Sequence, residues 1–161
     1  LPTNNIEQLY QFIATKLVEI IPDDWSKIYL YAESLSDSRT IYFYYQSESL
    51  DKLIYSHNIP STYGVDWDIY TELLDELGKY FVTLQEEYKK ISSEVWHSVT
   101  MHLESTGKFG IDFDYEGKYL LGPDFQQVVW KYENLGIYPT DDYYIEKIDV
   151  YLKSKSDHQQ S

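Results

Sequence analysis

The residues of this chain best suited to chemistry crowd into one short stretch: His102, Glu104, Asp112 and Asp114. An imidazole among carboxylates is a donor set for a divalent cation, or an acid and a base for proton transfer. Their spacing decides how they are read. Residues 95–104 (VWHSVTMHLE) and 108–116 (KFGIDFDYE) flank Ser105-Thr106-Gly107, a three-residue hairpin loop with glycine where a left-handed backbone is wanted. Pairing Glu104 with Lys108 aligns Leu103 with Phe109, Met101 with Ile111 and Val99 with Phe113 on one apolar face. The opposite face then carries Glu104, His102, Thr100 and Ser98 beside Lys108, Gly110, Asp112, Asp114 and Glu116. Strand alternation by itself puts polar side chains there. A solvated or protein-contacting face is therefore preferred, and a metal-dependent or acid–base enzyme using His102, Asp112 and Asp114 stands as the alternative.

The remaining histidines carry less. His97 shares the parity of Val99, Met101 and Leu103 and reads as a core or edge residue. His57, ahead of Asn58-Ile59-Pro60, suits a turn-stabilising hydrogen bond, and His158 lies in the tail. The absence of cysteine excludes disulfides, thiolate metal sites and cysteine nucleophiles together. There is no phosphate-cradling glycine loop, no histidine pair spaced for zinc on a helix, and no serine elbow. The sequence thus predicts no catalytic residue, no metal and no cofactor.

Charge and aromatic content point elsewhere. Lys plus Arg total 13 against 27 Asp plus Glu, a formal charge of −14 that repels nucleic acid and anionic membranes and steers the chain toward a basic partner. The 18 tyrosines join a large ring to a polar tip, which suits half-buried sheets and contact surfaces. No run approaches the roughly 18 apolar residues of a membrane span. The first segment, with Glu7 and Glu19, reads as an amphipathic helix rather than a secretory signal, so a cytoplasmic protein is expected.

The elements that must position these residues follow from periodicity. Ile6, Leu9, Tyr10, Ile13, Leu17, Ile20 and Ile21 form a helical stripe, with Asn5 as its cap and Pro22 as its stop. Strands at 27–35, 39–46 and 52–57 form a meander; pairing Leu35 with Thr40 sets Ile28, Leu30, Ala32, Phe43 and Tyr45 on one face. Tyr29, Tyr31, Glu33, Tyr42 and Tyr44 occupy the other face, structural if a helix covers them and a binding platform if none does. A loop at 59–64 leads to a helix over about 66–91, buried through Ile69, Leu73, Leu77, Phe81, Leu84, Tyr88 and Ile91. Gly78 inside that helix implies a close packing contact. After the hairpin, Gly122-Pro123-Asp124 opens a helix ending at Leu135-Gly136, and a last helix runs from Asp142 to Lys153. The order α-βββ-α-ββ-αα predicts an α+β fold, with helices packed on an antiparallel sheet built from the meander and the hairpin. One domain is expected over residues 1–153, with 154–161 as a frayed tail.

Seven segments carry a family resemblance. They are 6–10 (IEQLY), 27–33 (KIYLYAE), 37–44 (DSRTIYFY), 55–60 (YSHNIP), 94–96 (EVW), 103–115 (LESTGKFGIDFDY) and 130–139 (WKYENLGIYP). The chain is similar to the YezG family of bacterial immunity proteins, which includes the antitoxin of a staphylococcal type VII secreted nuclease. The resemblance covers about residues 6–140, and LESTGKF followed by IDFDY is its specific part. It implies an immunity protein that binds a nuclease toxin in the producer's cytoplasm and blocks it, and it carries no catalytic residues over. A chaperone that holds a secreted partner before export is the other reading. For either, clustering on polar hairpin faces nominates Glu33, Asp37, Asp112, Asp114 and Glu116 as acidic contacts, with Tyr42, Tyr44 and Trp96 as anchors.

Overall fold

Five strands with one apolar face each need a cover, and two long helices supply it. A computed structural model describes residues 2–35 and 39–160, with residues 2–4, 118–119 and 158–160 described by their backbone alone. Helix α1 (Pro2–Ile20) is followed by β1 (Trp25–Ser34), β2 (Arg39–Ser47) and β3 (Lys52–Tyr55). A 3₁₀ turn at Ser56–Asn58 and a short helix α2 (Ile59–Tyr63) lead into α3 (Trp67–Lys89). Strands β4 (Ser98–Glu104) and β5 (Phe109–Asp114) complete one antiparallel sheet in the order β3-β2-β1-β4-β5. A second 3₁₀ turn at Lys118–Leu121 precedes α4 (Pro123–Leu135) and α5 (Asp142–Gln160). The α+β class is as expected.

The chain divides into two compact units, Leu1–Gly117 and Lys118–Ser161. In the first, the predicted stripe of α1 and the following Ile21 is buried at Ile6, Leu9, Ile13, Leu17, Ile20 and Ile21 and partly buried at Tyr10, against Ile28, Leu30, Phe43, Tyr45, Met101 and residues of α3. In the second, α4 and α5 meet through Phe125, Val129 and Ile148, with Leu121, Tyr144, Tyr151 and Leu152 around them. Lys147 lies 4.7 Å above the Phe125 ring, so its cationic end covers an aromatic face.

Several boundaries differ from expectation, each for a local reason. Helix α1 starts at Pro2, where a fixed φ and a missing N–H suit the first turn, so Asn5 is inside the helix and not its cap. Ser34 pairs with Arg39 and Glu33 with Thr40, two residues from the predicted Leu35–Thr40 pairing. An even shift leaves every side chain on its predicted face. Strand β3 ends at Tyr55 because the Ser56 hydroxyl takes over the next donor, Phe43 N–H, at 3.1 Å. The expected loop at 59–64 is α2, with Pro60 in its first turn and Gly64 left-handed at its end. In α3, Tyr70 is buried while Ile69 and Ile91 are exposed, since Tyr70 continues the buried side and Ile91 lies beyond the helix. Helix α5 runs on to Gln160, for no glycine or proline interrupts residues 154–160. Helix α4 ends as predicted, with Gly136 left-handed at φ 68°.

Two polar links hold the first unit together that periodicity does not reveal. Asp23, just after α1, accepts hydroxyls from Ser47 (2.6 Å), Ser49 (2.7 Å) and Tyr63 (2.8 Å). Tyr45 donates to Tyr63 at 2.8 Å, so the core ring of Tyr45 is tethered to the same carboxylate. Gln85, buried in α3, donates to the carbonyls of Ser34 (3.1 Å) and Trp96 (2.7 Å), fastening the end of β1 to the approach to β4.

The Ser47 hydroxyl, with those of Ser49 and Tyr63, holds the Asp23 carboxyl below the usual carboxylate range. A depressed folded-state pKa contributes stability above the unfolded value, near 3.9, that is lost as pH falls through the folded value. Asp23→Asn should therefore cost about 1–2 kcal/mol at neutral pH, with the gap to the parent closing below about pH 4 in urea melts. At Gly78 an added Cβ would sit 3.7 Å from the Arg39 guanidinium, an ordinary contact rather than the tight one expected. Gly78→Ala should raise stability by about 1 kcal/mol, read as a higher melting temperature.

Candidate functional site

Pairing of β1 with β4 brings the meander and the hairpin side by side and lines up their polar faces in rows. Tyr29 pairs with His102 and His102 with Gly110; Tyr31 with Thr100 and Thr100 with Asp112; Glu33 with Ser98 and Ser98 with Asp114. The first row is Lys27 against Glu104, whose N–H donates to the Lys108 carbonyl at 2.8 Å. The predicted hairpin register holds at Leu103–Phe109, Met101–Ile111 and Val99–Phe113. Gly107 takes φ 96° in the loop, as the turn requires.

Along these rows the face changes sign. Lys27 and Lys108 stand at one end with Glu104, and Glu33, Asp112 and Asp114 gather at the other. Glu33 accepts from the Tyr31 hydroxyl at 3.2 Å. Asp114 accepts from the Ser98 hydroxyl at 3.3 Å and from the Glu116 N–H at 3.1 Å, which folds Glu116 back beside it. Burial pushes the Tyr31 phenol up, and the carboxylate of Glu33 pushes it the same way, so Tyr31 stays a donor to the acids around it. Asp112 is exposed, and its carboxylate makes no hydrogen bond or ion pair among the described residues. Four of the nominated acids are thus brought to one corner of the sheet. Asp37 lies outside the described residues.

The nominated aromatic anchors are placed differently. Trp96 is 1% exposed, packed 5.1 Å from the Phe113 ring and 6.3 Å from Tyr88, inside the core. Tyr42 and Tyr44, at 3% and 6%, are buried in the folded chain. Tyr42 stacks on Tyr31 (5.2 Å) and Tyr44 on Tyr55 (4.9 Å), so these rings satisfy one another across neighbouring strands. Trp96, inside the core of the first unit, offers no surface to a partner, and Tyr42 and Tyr44 are buried within the folded chain.

Among the described residues the histidines are distributed, not clustered. His57 Nδ1 lies 2.7 Å from the Tyr70 hydroxyl on α3, a contact between elements rather than within its turn, and burial lowers its pKa. His102 sits edge-on to Tyr29 at 5.1 Å and is exposed. Among the described residues no group of three or more His, Asp or Glu side chains is close enough to hold a metal ion. A cleft of about 300 Å³ at the basic end, lined by Lys27, Tyr29, His102, Glu104, Lys108 and Gly110, was not anticipated. It exists only because β1 and β4 pair, and no hairpin signal announces that pairing.

An open acidic corner on a chain at −14 is chemistry for contact with a cationic surface. The family model described as "Immunity protein YezG-like" matches residues 6–149. The chain is 40% identical to Immunity protein YezG of Bacillus spizizenii over 154 residues, covering 94% of this chain and 96% of that one. It is 39% identical to Immunity protein YezG of Bacillus subtilis over 149 residues, 91% of this chain and 99% of that one. It is 28% identical to the type VII secretion system protein EsaG of Staphylococcus aureus over 155 residues, 92% and 94% of the two chains. The chain belongs to the YezG-like family of immunity proteins.

Proposed function

We propose that this chain is an antitoxin: it binds a cognate secreted nuclease toxin in the cytoplasm of the producing cell and neutralises it without catalysing a reaction. Membership of the immunity family carries the reading, and the likeness to a type VII secretion system protein supports export as the toxin's route. The electrostatics support a nuclease as the target. A nuclease must hold phosphates, so its cleft is cationic, and a chain at −14 is drawn to it. Carboxylates from the acidic corner stand in the cleft where phosphates would otherwise bind.

Glu33, Asp112, Asp114 and Glu116 are the proposed contacts, with Asp37 following β1 in sequence. Tyr42, Tyr44 and Trp96 hold the strands that present them. No helix of the described residues is long and apolar enough to cross a membrane, which suits action in the cytoplasm.

Co-purification with the toxin encoded beside this chain, followed by DNA cleavage with and without it, tests the reading. Suppressed cleavage is expected, whereas full cleavage within a stable complex would favour holding before export. Replacing Asp112 and Asp114 with Lys should slow association about tenfold at low salt and remove most of its salt dependence. Association kinetics read both effects, and an unaltered rate would exclude this corner as the interface.

A further inference from the structure

The two edges of the sheet are not finished alike. Strand β3 has four residues and passes directly into a 3₁₀ turn, which leaves little edge to pair with. Strand β5 has six residues and is the last in the sheet, with no strand paired to its outer side among the described residues. Glu104 and Lys108 form a hydrogen-bonded pair, so His102/Gly110 and Thr100/Asp112 are the next bonded pairs along the hairpin. The N–H and C=O groups of Phe109, Ile111 and Phe113 therefore point away from β4. None of these three N–H groups has a partner among the described residues. No proline or lysine within β5 blocks this edge.

The side chains along it say what it would accept. On the polar face, Asp112 and Asp114 stand two residues apart, and the space over Gly110 is open. On the apolar face, Phe109 is 40% exposed, while Ile111 and Phe113 are half-buried against the core. Building on the antitoxin reading, we propose that the outer edge of β5 receives a sixth strand from the toxin, an extended segment alternating basic and apolar residues. Its basic side chains would lie about 5 Å across from Asp112 and Asp114, and its apolar ones beside Phe109 and Ile111. The backbone bonds supply affinity and the aspartates choose the partner. An acidic strand meets like charge there, and a second copy of this chain arrives at −14 against −14.

The test compares amide exchange by NMR in the free chain and in its complex with the neighbouring toxin, catalytically disabled. Exchange at Phe109, Ile111 and Phe113 should slow by about 100-fold on binding, the equivalent of two to three ordinary hydrogen bonds. Ile111→Pro removes an edge N–H that no neighbour among the described residues uses. It should weaken binding by about 100-fold with circular dichroism unchanged. A tight complex in which those three amides exchange as fast as before would overturn strand addition and leave the antitoxin reading standing. Failure of any complex to form would overturn both. Because the exchange readout uses the unaltered chain, it decides the matter even if the proline variant misfolds.

Discussion

Antiparallel pairing of β1 with β4 is the constraint on which the rest of the molecule depends. It joins residues some seventy positions apart in sequence and turns a meander and a hairpin into one sheet. Loop-closure entropy opposes such a contact, and the burial of one continuous apolar face offsets it. Ile28, Leu30 and Ala32 face Leu103, Met101 and Val99 in the same layer, and α1 and α3 close over them. Gln85 guards the seam, since its amide satisfies a carbonyl on each side of it.

Once that seam is set, the opposite face has no further freedom. Strand pleating carries Lys27, Tyr29, Tyr31 and Glu33 into register with Glu104, His102, Thr100 and Ser98, and through them with β5. Two lysines come to one end and three carboxylates to the other, although neither group is contiguous in sequence. Elsewhere in the first unit, ion pairs tie Lys16 of α1 to Glu76 of α3 and Arg39 of β2 to Asp75 of α3.

The tyrosines do something different from what their number suggests. An excess of rings in an acidic binding protein invites a reading as contact residues. Here Tyr31 with Tyr42, and Tyr44 with Tyr55, stack within the sheet, and Tyr45 and Tyr63 pass hydrogen bonds to Asp23. Their contribution is rigidity. The strands that carry the acids are fixed by aromatic pairs on one face and aliphatic packing on the other.

Much of this was legible in the chain. Periodicity determined the α1 stripe, the hairpin register around Gly107 and the Gly136 end of α4, because each depends on near neighbours and on backbone angles that few residues adopt. The alternation of LESTGKFGIDFDY also determined which side chains share a face, and it bears the family resemblance. Tertiary structure alone decided the β1–β4 seam, the gathering of Glu33 with Asp112 and Asp114, the burial of Tyr42, Tyr44 and Trp96, and the open edge of β5. These are relations between distant segments. Alternation can say that a side chain points up or down from its strand, but only the neighbouring strand and the layer above it determine whether it meets water, another ring or nothing.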